Sequence, residues 1–125
     1  MNQKGFATLE VILMVVVIGI LATIAVPRFT DITAQANTAK IKSDLATIDT
    51  ALDMWYMEKT TAPSKLSDLA EYIKDADKLE PPTGSAYIGN KDPEAIPTGG
   101  YIVNDSSKRA KLGEHTAGDF YKGTE

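Results

Sequence analysis

Gly5-Phe-Ala-Thr-Leu-Glu10-Val-Ile-Leu-Met-Val-Val-Val-Ile-Gly19-Ile-Leu-Ala-Thr-Ile-Ala-Val-Pro27 is the stretch on which the reading of the whole chain turns. No charged residue occurs between Val11 and Val26, and the 21-residue run from Phe6 is broken only by Glu10. At a rise of about 1.5 Å per residue, such a helix is roughly 31 Å long, close to the ~30 Å hydrocarbon core of a bilayer. It is long enough to span a membrane. A carboxylate inside that core costs on the order of 2.5–3.5 kcal/mol even on lenient scales, so Glu10 calls for a partner. Cleavage after Gly5 would create one, because Phe6 would then carry an α-amino cation four residues from Glu10. In a stack of staggered helices, the amine of one copy can meet the carboxylate of another where an unpaired charge is heavily penalised.

Two plainer readings compete. A secretory signal peptide needs a basic start, an apolar stretch of about 7–15 residues and a small-residue cleavage site. Here only Lys4 precedes the run, Glu10 interrupts its start, and the best small-residue site, Thr23-Ile24-Ala25, is followed closely by Pro27. A simple single-pass anchor accounts for the length but not for Glu10 or for the glycine before Phe6. The flanks, Lys4 before the span and Arg28 with Asp31 after it, orient the N-terminus inward and the remainder outward.

Taken together, Lys4-Gly5 before Phe6, the acid at Glu10, the apolar run with Gly19, and Pro27-Arg28-Phe29 resemble the N-terminal signature of type IV pilins and of the pseudopilins of type II secretion. The resemblance implies cleavage between Gly5 and Phe6 by a prepilin peptidase, N-methylation of Phe6, and a role for Glu10 in assembly. It also implies a partly melted helix between Gly19 and Pro27 in the filament. A membrane-embedded glycine that is merely tolerated is the alternative for Gly19. The motif covers about a quarter of the chain. Ala7-Thr8-Leu9 departs from the family's more usual Thr-Leu-Ile but leaves the cleavage pair and the acid in place.

Composition limits the rest. The chain has 125 residues, so fewer than 100 remain after the apolar quarter, enough for one small domain. Net charge is -4, and without residues 1–5 the balance is 12 basic against 17 acidic side chains, or -5. Direct nucleic-acid binding is therefore not expected. There is no cysteine, so no disulfide closes the C-terminal loop as it does in many pilins of Gram-negative bacteria.

After Pro27, where a kink is expected, Ile41, Leu45, Ile48, Leu52 and Trp55 recur at spacings of four, three, four and three and form one stripe. Neither Gly nor Pro occurs from Arg28 to Thr61. One helix of about 50 residues, from Phe6 to near Glu58, is expected. The stripe is read as core packing against the chain's own head; a coiled-coil seam is the alternative, weakened by its short run. Trp55-Tyr56-Met57 is read as a bulky cluster at the helix end, in the core rather than an aromatic platform. Ser64 is expected to cap a second helix from Lys65 to about Lys74, and 75–82 to be an extended linker ending in Pro81-Pro82. Strands are expected at Ala86-Tyr87-Ile88, at Tyr101-Ile102-Val103 and near Arg109 to Leu112, with a tail around Phe120 and Tyr121 that is either an edge strand or loosely held.

The expected fold class is α+β, a pilin fold with a long kinked N-terminal α-helix packed on a small antiparallel sheet. The chain divides into a 1–5 leader, a 6–27 transmembrane or filament-core helix, a 28–58 amphipathic second half and a 59–125 globular head. No catalytic residue, metal or cofactor is expected. His115 is the only histidine and has no cysteine to join it; Ser106 and Ser107 sit in a polar turn. Asp92, Glu94, Asp105 and Asp119 are candidates for a calcium site of the kind that major pseudopilins carry. The Asp-Pro-Trp-Gly type segment expected of those proteins is absent, since Asp92-Pro93 runs on into Glu94-Ala95.

The function expected is a structural subunit of a type IV pilus, not an enzyme. A type II secretion pseudopilin is second and a monomeric membrane-tethered binding module third. Expected partners are the membrane, copies of itself with minor pilins, a prepilin peptidase and an inner-membrane assembly platform. The protein would sit in the inner membrane as a single-pass protein and then in a cell-surface or periplasmic filament.

Overall fold

The computed structural model describes residues 3–25 and 29–124. The expected long N-terminal helix comes first, described in two segments: α1, Gln3–Ala25, and α2, Phe29–Glu58. Among the described residues helix is present from Gln3, three residues before Phe6, and stops at Glu58. The expected kink at Val26-Pro27 lies outside the described residues. The head that follows carries a small antiparallel sheet and is wrapped on α2, an α+β layout that matches the pilin fold.

The stripe on α2 organises the head. Ile41, Leu45, Ile48 and Leu52 are completely buried and Trp55 nearly so, packed with Leu69, Ile73, Ala76, Ala86, Val103, Leu112 and Phe120. The seam is covered by the chain's own head. Trp55 donates its indole N–H to the Thr61 carbonyl at 2.7 Å, and Lys59 lies 3.7 Å from its ring centre, so the helix end is tied to the turn that leaves it. The three-residue cluster expected there splits: Tyr56 is half-buried, but Met57 is 86% exposed. Met57 lies beyond the edge of the apolar stripe.

Beyond Glu58 regular structure is scarce. The helix expected over 65–74 is instead a short 3-10 helix, Leu66–Leu69, followed by turns. Ser64 does not cap it; the Asp68 carboxylate accepts the backbone N–H groups of Ser64 (2.9 Å) and Lys65 (3.1 Å). That closure makes a tight turn, and Tyr72 and Ile73 both donate to the Leu69 carbonyl. Nor is 75–82 simply an extended linker, because Asp75 turns left-handed at φ 55 and a second 3-10 helix, Ala76–Lys78, buries Ala76.

The sheet is smaller than expected. Strand β1, Ser85–Ala86, pairs antiparallel with β2, Glu94–Ala95, in the register Ser85 with Ala95 and Ala86 with Glu94. The segment around Ile88 turns away, and the exposed β2 has none of the alternation that reveals a strand. At 101–103 a single bridge joins Ile102 to Lys111, with N–H···O bonds of 2.8 and 3.0 Å, and a second joins Leu112 to His115. The third strand is thus reduced to bridges. Its turn is built by Asp105, which accepts from the Ser107 backbone and hydroxyl and pairs with Lys111 at 3.2 Å. The tail is an anchored loop: Phe120 is buried, Gly89 N–H donates to Tyr121 O and Gly123 N–H to Asn90 O, both at 2.9 Å. A Cβ on Gly123 would run into the Gly89 carbonyl.

With so few ladder bonds, side chains of α2 hold the loops. Asn37 Nδ2 donates to the Ser85 and Thr83 carbonyls at 3.0 and 3.3 Å. Thr38 Oγ1, almost buried, accepts the Tyr87 N–H at 2.7 Å and donates to Ala34 O at 2.6 Å. Asp31 Oδ1 accepts the Tyr87 hydroxyl at 3.2 Å, Asp44 Oδ2 that of Tyr101 at 2.6 Å, and Asp49 Oδ1 the Ala110 N–H at 2.7 Å. Burial first, then the hydrogen bond to Asp44 and its negative charge, push the Tyr101 hydroxyl pKa far above its usual value. These residues flank the apolar stripe on the helix wheel, so each reaches a loop while the stripe stays in the core.

Candidate assembly helix

Along α1 the large apolar side chains from Phe6 to Ile24 are 50% to 76% exposed. The described part of the chain covers none of them. Between Gly5 and Ala25 the only ionisable side chain is Glu10, and it too is exposed. The two hydroxyls on this helix are turned back onto it: Thr8 Oγ1 donates to Lys4 O at 2.9 Å and Thr23 Oγ1 to Ile20 O at 2.6 Å. No hydroxyl donor is left to be solvated, which suits a helix in hydrocarbon. A Cβ at Gly19 would meet nothing within 4 Å, so within one copy no contact calls for a glycine there. The helix is long and apolar enough to cross a membrane. At the start of α2, Phe29 and Ile32 are 66% and 62% exposed and carry the apolar surface onward.

The structure places Gly5, Phe6, Glu10 and Gly19 on this one bare helix. It sets the packing residues Ile41, Leu45, Ile48, Leu52 and Trp55 apart on α2, inside the head. Pro27 lies outside the described residues. The polar clips Asp31, Asn37, Thr38, Asp44 and Asp49 escaped sequence reasoning. Their signal was present but faint, as short polar side chains one helical step either side of the stripe.

The remaining candidates do not converge. Among the described residues no group of three or more His, Cys, Asp or Glu side chains is placed to hold a metal ion. Asp105 is engaged with Ser107 and Lys111, and its hydrogen bonds, the Ser107 hydroxyl foremost, hold its pKa down at about 2. Asp119 accepts from the Thr116 N–H at 2.9 Å and lies 3.8 Å from His115 Nδ1. Ser107 bonds to Asp105, not to His115.

A bare apolar helix bearing one acid, followed in sequence by a small α+β head built on the next helical segment, matches the layout of the pilin fold. The curated relatives of this chain are type II secretion core protein G pseudopilins and a type IV pilin, consistent with the pilin and pseudopilin family. Type II secretion system core protein G of Klebsiella pneumoniae is 29% identical over 101 residues, 81% of this chain and 64% of that protein. The protein of the same name from Escherichia coli is 33% identical over 86 residues, covering 69% and 58%. Type IV narrow pilus major component PilA5 of Thermus thermophilus is 47% identical over 51 residues, 41% of this chain and 44% of that protein. The chain thus spans about half to two thirds of the length of these relatives. No protein-family model matches it, and no solved structure does.

Proposed function

We propose that the chain is a filament subunit of a type IV pilus, cut between Gly5 and Phe6 by a prepilin peptidase, N-methylated on Phe6, and polymerised through α1. The bare α1 carries this reading. An apolar face of this extent is stable only in lipid or against other apolar surfaces. Lipid would hold the subunit in the inner membrane before assembly, and the α1 helices of neighbours would replace it in the fibre. Glu10 sets axial register through the Phe6 amine of a neighbour, since only a matched carboxylate is tolerated in that core. Gly19 lets backbones approach closely. An assembly platform in the inner membrane would extract the subunits.

A second reading, a pseudopilin of a type II secretion system, is favoured by the reach of the core protein G matches. At 101 residues such a match is longer than the two helices together and takes in part of the head, whereas a 51-residue match can be accommodated by the helices. Deleting the gene separates the two readings: loss of surface fibres with normal protein export supports the pilus, and loss of export supports the pseudopilus. Mass spectrometry of sheared fibres tests what both share. Subunits beginning at methylated Phe6 are expected; a polymer whose subunits still carry residues 1–5 would remove the mechanism.

A further inference from the structure

Helix α2 has two unlike flanks. Residues 40 and 42 point about 200° apart on a 3.6-residue helix. On the Lys40 side, Asn37, Lys40, Asp44 and Glu58 contact Thr83 and Ser85, Glu80, Tyr101 and Tyr72 in turn. The 66–80 segment follows this side and carries five acids, Asp68, Glu71, Asp75, Asp77 and Glu80, against Lys74 and Lys78. Glu71, Asp77 and Glu80 are exposed, and none of them makes an ion pair among the described residues.

The opposite flank is a groove of about 350 Å³ where Gln35, Ala39 and Lys42 face Tyr87, Tyr121 and Lys122. Lys42 is exposed and has no ion-pair partner among the described residues, and Lys122 lies 5.0 Å from the centre of the Tyr87 ring. Lys108 lies on the same flank, over Tyr56, as does Arg109, 3.6 Å from Asp53. The acids here are already committed: Asp49 accepts from the Ala110 backbone, Asp53 pairs with Arg109, and Asp31 accepts from Tyr87. What remains free to act outward in the groove itself is the ammonium groups of Lys42 and Lys122, beside Tyr87 and Tyr121.

We propose that this groove is a docking site for the 71–80 segment of a second copy of the chain, with the carboxylates of Glu71, Asp77 or Glu80 seated between Lys42 and Lys122. The proposal rests on the filament reading and names the contact between heads. Charge complementarity selects the occupant, because the groove is cationic and the same chain displays its anionic counterpart on the far side of α2. A contact between two different patches is heterologous and propagates without closing, the geometry of an open helical polymer. Pairs at the rim of such a contact set register and encounter rate, and salt screens them over about 8 Å at physiological ionic strength. Apolar contact along α1 supplies the cohesion.

Zero-length carbodiimide coupling of intact filaments, with mass spectrometry of the joined peptides, tests it on the unmodified chain. Lys42 and Lys122 are on the opposite flank from Glu71, Asp77 and Glu80, so an amide joining the two sets forms only between copies. Such amides are expected. Filaments whose subunits are coupled only through other residue pairs would overturn the docking site and leave the filament reading standing; a chain that never polymerises would overturn both. Charge reversal gives an independent check: Lys42→Glu with Lys122→Glu should lower filament yield about tenfold or more, as like charges meet. Adding Glu71→Lys and Glu80→Lys should restore most of it. Unchanged yield in the first variant, or no recovery in the second while its head melts normally, would contradict the proposal.

Discussion

The two α-helical segments among the described residues, 23 and 30 residues long, have opposite fates. The more apolar one, α1, buries nothing in the described structure, whereas α2, interspersed with charge, buries eight residues. Apolar content does not decide which helix a head will cover; arrangement does. A stripe with polar flanks can be covered on one side by a small head and kept wet on the other. A helix that is greasy all round would need to be enclosed on every side, and fewer than 70 head residues cannot do that. Lipid or other copies must cover it, which is the physical basis of the subunit role.

The comparison is sharpened most by paired truncations. Ile48→Ala should cost the head about 2–5 kcal/mol, as deletion of a fully buried side chain does, while Val15→Ala should leave its thermal unfolding unchanged. Equal effects from the two would mean that α1 packs on the head after all. Next in size is Thr38→Val, which leaves the Tyr87 N–H without its acceptor and should cost about 1–3 kcal/mol. Chemical denaturation of both variants beside the parent gives these values.

The smallest effect expected is on pH dependence. Asp105 is held at about 2 in the folded head, below the usual carboxylate value near 3.9. Its contribution is therefore complete above about pH 4 and is lost as pH falls through about 2, because the unfolded chain takes up the proton first. Asp105→Asn should remove that part of the acid sensitivity and leave the melting temperature flat across the same window relative to the parent. A parent and a variant that lose stability in parallel would show that the turn at 105–107 adds nothing.

Legibility in the sequence followed the same division. The apolar run and the Ile41 to Trp55 stripe announce themselves because helices carry a period, and the stop at Glu58 is marked by Pro63 a few residues on. Past that point the head gives no periodic signal. Its strands are two residues long, and its loops are held by Asn37, Thr38, Asp44 and Asp49 reaching partners 46 to 61 residues away. Short polar residues beside the stripe hint at such a clip, but no local pattern names its distant partner. Hence the helix expected over 65–74 shrinks to a 3-10 turn once the Asp68 side chain closes it, and the strand expected at 101–103 becomes one bridge. Within α1, Glu10 stands out in the sequence for a different reason, since a single charge in an apolar run is costly wherever the run is buried.

Replacing Glu10 by alanine and measuring filament yield beside membrane insertion tests the central claim most directly. The account predicts normal insertion, because the span becomes more apolar, together with filaments lost or severely reduced, because the axial ion pair is gone. Filaments at the parent's yield from that variant would contradict it.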